Sequence, residues 1–154
     1  MSQAQVNRTG QLIIHLKHDF KQRLRVKLEQ HQVAIRELHG MIVSYVAEQG
    51  SCRMVDIADF CEVRPQSMAT AIGQLEQLGY LSRINSKEDL RSKMITLTAS
   101  GEALLTLLDA TTRDVWEDYA AIVGQPQLNQ ALSTINMLLN AKYNEVLQGY
   151  DIDE

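Results

Sequence analysis

Four polar side chains, Arg64, Gln66, Ser67 and Thr70, cluster where a short apolar-periodic segment begins. Arg can donate two parallel hydrogen bonds to guanine, and Gln can pair bidentately with adenine. Ser and Thr hydroxyls bond phosphates or base edges. At the N-terminal end of a helix, this set suits the reading of a DNA major groove. An ordinary amphipathic helix with a polar outer face would carry the same residue types. A basic set follows: Arg83, Lys87, Arg91 and Lys93, with Asp89 two positions before Arg91. A narrow minor groove concentrates negative potential, and an Arg at a hairpin tip can enter it. A neighbouring carboxylate can fix that guanidinium through a charge-assisted bond. A solvated charged turn is the bland alternative.

Particular elements must hold these groups. Residues 55–60 read as a short helix, Glu62-Val63-Arg64 as a tight connection, and Pro65 suits the first turn of a second helix. That helix runs from Gln66 to Leu78, with Met68, Ile72, Leu75 and Leu78 inward, and Gly79 ends it. Helix, turn, helix is the resulting unit. Residues 80–84 and 93–98 alternate apolar with polar and read as a β-hairpin with a long charged tip.

Upstream, Leu12, Leu16, Phe20, Leu24 and Leu28 recur every four positions, giving an amphipathic helix with a cationic outer face. A second helical pattern runs through Val33, Ile35, Leu38, Ile42, Tyr45 and Val46 to a Gly50 cap. Downstream, Thr98 suits the N-cap of a helix from Glu102 to about Val123. Residues 124–126 break it, and a last helix follows from Leu128 to about Leu147. The apolar stripes of these long helices exceed what one modest core can bury. A second copy of the chain, related by a two-fold axis, is the simplest cover.

The stretches Gln77-Leu78-Gly79-Tyr80-Leu81-Ser82-Arg83, Asp89-Leu90-Arg91-Ser92-Lys93 and Leu97-Thr98-Ala99-Ser100-Gly101 resemble the MarR family of bacterial transcriptional regulators. The resemblance implies a mainly α fold with a small β-hairpin wing, a winged helix-turn-helix over about 33–98. It implies dimerisation helices over about 8–30 and 99–148, all within one domain spanning 1–154. It further implies a cytoplasmic homodimer on a near-palindromic operator of double-stranded DNA, usually as a repressor, with Arg91 in the minor groove and Asp89 supporting it. Many family members are released by a small aromatic or phenolic effector. His15, His18, Phe20, Met41, Tyr45 and Trp116 are the candidate lining residues here, although such a stripe also suits plain core.

One departure stands out. The recognition helix carries no Lys or Arg between Pro65 and Gly79, where the family usually has Arg near the position of Thr70. A winged-helix interaction or dimerisation module that has lost specific DNA binding is therefore the competing reading. Net charge is −4, yet residues 1–30 carry six Lys/Arg against two Asp/Glu, and residues 99–154 carry two against nine. A DNA-facing surface is compatible with that distribution if the acidic end points away from phosphates.

The remaining candidates are weaker. Cys52 is expected to be the more exposed thiol and Cys61 the buried one, and neither has the cationic surroundings of a redox sensor. His15 and His18 have a spacing that could ligate a metal, but no certain third ligand, so no metal is expected. His31 and His39 are expected to bond backbone groups at helix ends. No phosphate loop, nucleophile elbow or carboxylate pair points to catalysis or to a cofactor. An apolar fraction of 45% and a charged fraction of 22% fit a globular protein, with no run long enough for a membrane.

Overall fold

A computed structural model describes the backbone of residues 3–85 and 93–148, and the side chains of 11–85, 93–138 and 140. The elements are α1 (Gln3–Gln30), α2 (Glu37–Gln49), α3 (Met54–Phe60), α4 (Pro65–Gln77), β1 (Leu81–Asn85), β2 (Lys93–Leu97), α5 (Ala99–Val123) and α6 (Gln125–Gln148). Among the described residues, six helices and a two-stranded antiparallel hairpin make this a winged helix-turn-helix fold. It separates into two compact units, Met1–Arg113 and Asp114–Glu154.

The core of the first unit is built by residues that periodicity turns inward. Ile42, Val43 and Val46 from α2, Ile57 from α3 and Met68, Ile72 and Leu75 from α4 are all buried. Leu81 and Ile95 from the hairpin and Leu104 and Leu108 from α5 join the same cluster. In the second unit Val115 and Leu128 are buried.

The turn between α3 and α4 follows from backbone chemistry. Val63 N–H donates to the Ala58 carbonyl at 3.1 Å, and Glu62 takes φ 54°, the left-handed conformation that closes a helix C-terminus. Arg64 is extended at the N-cap, and Pro65 occupies the first helical position, where a missing N–H leaves nothing unsatisfied. Gly79, at φ 78°, then reverses the chain into β1.

The strands pair Leu81 with Leu97, Arg83 with Ile95 and Asn85 with Lys93. A third segment joins them: Cys52 N–H donates to the Ile95 carbonyl at 3.1 Å, and Ile95 N–H returns to the Cys52 carbonyl at 2.8 Å. Thr98 ties the hairpin to α5. Its hydroxyl donates to the Gly79 carbonyl at 2.5 Å and accepts Gly101 N–H at 3.0 Å, satisfying an N-terminal helix donor. Gly101 packs so close to the Tyr80 carbonyl that a Cβ there would lie 2.1 Å from the oxygen.

Four expectations change. Cys52 is buried, at 5% exposure, because its backbone bonds to Ile95 draw it under the hairpin. Leu78 is 53% exposed rather than inward: it is the C-cap of α4, and the following reversal gives the core slot to Leu81. Val33 and Ile35 pack against the core but precede α2, since Arg36 is extended and the helix begins at Glu37. The outer helices begin earlier than their apolar stripes, α1 at Gln3 and α6 at Gln125, with Pro126 tolerated in the first turn.

Candidate nucleic-acid interface and adjoining cavity

Pro65 and the α3–α4 turn project the first turn of α4 outward, so Arg64, Gln66, Ser67 and Thr70 are all exposed on one end of the helix. The Thr70 hydroxyl donates to the Gln66 carbonyl at 3.0 Å, which leaves its methyl and lone pairs facing out. Arg64 is therefore the cation of this group, at the helix entrance.

The described cations of the hairpin lie on its strands, Arg83 midway along β1 and Lys93 at the tip end of β2. Arg83, on β1, donates from Nε to Glu76 Oε1 of α4 at 2.8 Å, an exposed ion pair that neutralises much of its field locally. Lys93 Nζ donates to Asn85 Oδ1 at 2.5 Å, across the last pair of the ladder. Lys87, Asp89 and Arg91 lie outside the described residues, so the structure neither joins them nor separates them.

A cavity of about 590 Å³ opens among α1, the segment before α2, α2, the end of α3 and α5. Phe20, Leu24, Leu28, Ile35, Met41, Phe60 and Leu108 form its apolar walls, with Ser44 and Thr112 as neutral polar groups. Phe60 is held by Tyr45, whose ring stacks on it with centroids 4.5 Å apart. Of the sequence candidates, Phe20 and Met41 line the cavity, and Tyr45 supports it from behind Phe60. His15 and His18 are exposed on α1 and not among the lining groups. Trp116 is in the second unit, with its ring 5.7 Å from that of Tyr119.

Three described cations line this cavity: Lys21, Arg25 and Arg36. Lys21 pairs with Glu37, and Arg25 faces Glu29 at 3.6 Å. Arg36 differs. Its Nη2 donates to the side-chain oxygen of Gln74, on α4. The same oxygen lies 3.1 Å from Nε2 of His39, which is buried at 5% exposure. Arg36 N–H points at Nδ1 of that ring at 3.5 Å, so the bonding pattern assigns the proton to Nε2, which donates to Gln74. His39 thus does bond a backbone group at a helix end, and it also reaches α4. Burial, reinforced by the Arg36 charge and opposed by the Gln74 bond, lowers the His39 pKa below its ordinary value.

Phe60, Arg36 and Gln74 were not singled out by sequence. Phe60 offered an aromatic signal, but Arg36 and Gln74 gain meaning only from a contact made across the fold. The thiols are both buried, and burial pushes the pKa of Cys52 up to about 11 and that of Cys61 upward. Neither has the lowered pKa of a reactive thiolate. Among the described residues, no three His, Cys, Asp or Glu side chains come together as metal ligands, and no helix is long and apolar enough to cross a membrane.

A MarR family model matches residues 37–93. An uncharacterized HTH-type transcriptional regulator, YwhA of Bacillus subtilis, is 33% identical over 67 residues, covering 44% of this chain and 48% of that protein. The transcriptional activatory protein BadR of Rhodopseudomonas palustris is 27% identical over 99 residues, covering 64% of this chain and 42% of that one. The chain therefore spans less than half the length of these curated relatives. Among solved structures, a mutant of MarR from E. coli complexed with operator DNA superposes with a TM-score of 0.74 at 14% identity, covering 88% of this chain and 96% of that one. At that identity the likeness shows the fold.

Proposed function

We propose that the chain, whose residues 37–93 match a MarR family model, is a DNA-binding transcriptional regulator of that family, not an enzyme. It works in the cytoplasm as a homodimer on a near-palindromic operator, as a repressor released by a small aromatic or phenolic effector. The observation that carries this reading is the exposed first turn of α4, with Arg64, Gln66, Ser67 and Thr70 free of the core. It is supported by a fold shared with a protein crystallised on operator DNA. Arg64, Gln66, Ser67 and Thr70 approach base edges, while Arg83 and Lys93 on the strands of the hairpin, and Lys87 and Arg91 with Asp89 at its tip, approach phosphates and the minor groove.

The effector occupies the cavity lined by Phe20 and Met41, where the apolar walls suit a ring and Ser44 and Thr112 can orient its polar group. Repression follows from occupancy of an operator that overlaps a promoter.

The test is binding to duplex DNA from upstream of the chain's own gene, across a salt series. Affinity should fall with a log–log slope of about −0.9 for each phosphate neutralised. Arg91→Ala should weaken binding strongly and leave the oligomeric state unchanged. Negligible binding to every operator-like duplex would remove the regulator reading. It would favour an interaction module, to which the cation-free α4 and the Arg83–Glu76 pair would then belong.

A further inference from the structure

Met68, Ile72 and Leu75 hold α4 against the core. Apolar contact has no direction, so it anchors the helix without fixing its rotation. Two polar side chains on either side of the inward Leu75 add direction. Glu76 pairs with Arg83 of β1 on an exposed flank, where an ion pair contributes little. On the other flank Gln74 accepts from the guanidinium of Arg36 and from Nε2 of the buried His39. Gln66, Thr70 and Gln74 follow one another every four residues and form one stripe of α4. A bond that fixes Gln74 therefore also fixes the direction in which Gln66 and Thr70 point.

We propose that His39 is a positioning residue for DNA recognition: through Gln74 its neutral ring holds the reading stripe of α4 in place, and protonation of the ring releases it. This rests on the proposed DNA binding. It goes beyond that reading by naming a residue that touches no base, and the proton as a signal. In the neutral ring Nδ1 accepts Arg36 N–H at 3.5 Å while Nε2 donates to Gln74 at 3.1 Å. A second ring proton turns Nδ1 into a donor that faces this N–H. It also sets an imidazolium beside the Arg36 guanidinium on one shared amide oxygen. One of the two cations must then leave Gln74, and the tie to α4 weakens. The surroundings hold nothing to offset the new charge. Arg36 acts on the ring and opposes protonation, α4 presents an uncharged amide, and Glu37 is paired with Lys21 of α1. Among the described residues, no charge from α3, the hairpin or α5 acts on it.

The pH profile separates this role from plain packing. Added protons make a protein more positive and strengthen its attraction to phosphates, so weakening in acid needs a structural cause. The test uses the full chain and a duplex from upstream of its own gene. Fluorescence anisotropy reads affinity from about pH 7.5 to about pH 5, across the range where histidine titrates. Circular dichroism checks the fold at each pH, and nitrogen NMR of the His39 ring reads its tautomer and titration. Wild-type affinity should fall as pH drops through the His39 pKa, approaching about tenfold per unit below it. His39→Gln keeps an acceptor for Arg36 N–H and a donor for Gln74 but takes no proton. It should bind within about twofold of the wild type at neutral pH and lose nothing in acid. His39→Leu and Gln74→Leu cut the tie, and each should bind at least about fivefold more weakly at neutral pH.

An equal acid loss in His39→Gln, or a wild-type loss that does not track the His39 titration, overturns the proposal. So does full affinity in either leucine variant, or a neutral ring protonated on Nδ1. Where the leucine variants do not fold, the comparison of wild type with His39→Gln decides. Failure of the wild type to bind any operator-like duplex at any pH removes the regulator reading and this proposal with it. Binding without acid loss removes the proposal alone.

Discussion

His39 lies in the first turn of α2, buried between a backbone donor of Arg36 and the amide of Gln74. Protonation would put a second hydrogen on Nδ1, directly against the Arg36 N–H, in a site already short of solvent. The folded protein therefore resists protonation, while the unfolded chain titrates near the ordinary value of 6.5. Between that value and the lower folded one, the unfolded state binds more protons, so stability rises with pH there. The contribution is complete above about pH 6.5 and is lost as pH falls below it. Thermal unfolding from pH 7.5 to 5.5 should show the midpoint falling through this window. His39→Gln, which cannot take up the proton, should give a flatter profile. Parallel profiles would mean that other groups set the acid limit.

At the scale of elements, the junction of hairpin and α5 is tightly constrained. Gly101→Ala would drive a methyl group into the Tyr80 carbonyl. Because the obstacle is backbone on both sides, relief requires moving α5 or the α4–β1 turn. We expect a loss at the upper end of the ~1–3 kcal/mol typical of overpacking, measured by denaturant unfolding, against a gain of up to ~1 kcal/mol for Gly73→Ala, mid-helix in α4 with an open site. A small effect at Gly101 would show that the junction yields easily. This junction also illustrates what was legible beforehand. Pro65, Gly79 and Thr98 are punctuation with a local mechanism, so helix-turn-helix and hairpin could be read to within one or two residues. Leu78 and Cys52 could not. Their burial depends on which neighbour takes a core slot and on a bridge to a distant strand. The cavity was half legible for the same reason: Phe20 and Met41 carry the signal of an apolar face, whereas Arg36 matters through Gln74, far along the chain.

For the whole molecule, the distribution of apolar surface is the dominant fact. Leu12, Ile13, Ile14 and Leu16 on α1 are each half to two-thirds exposed, and Ile122, Ile135, Met137 and Leu138 on α5 and α6 are similarly bare. Exposed large apolar side chains in such number on each unit mark surface available for association. Sedimentation at micromolar concentration should give about twice the 17.4 kDa of one chain. Ile13→Asp, at a site 66% exposed in the single chain, should shift the population toward monomer while preserving the helical circular dichroism. A native chain that sediments as a monomer would remove the basis for a palindromic operator. The acidic surplus of residues 99–154 has a complementary effect: under the proposed function it would disfavour that end of the chain beside phosphates and leave the cationic α1 and the hairpin to attract them.

The pair of backbone hydrogen bonds between Cys52 and Ile95 makes this part of the hairpin, in effect, a three-stranded patch fastened to the loop that opens α3. The distance from that patch to the first turn of α4 is thereby a built-in ruler. Under the proposed function, a duplex would have to offer its two protein contacts, one in each groove, at the spacing this ruler dictates. Inserting one base pair between them displaces one contact by ~3.4 Å along the duplex and rotates it by about a tenth of a turn. The rigid patch cannot follow such a change. Operators should therefore tolerate base substitutions between the two contact points far better than insertions or deletions, and a library randomised in length as well as sequence would reveal one permitted spacing within each half-site.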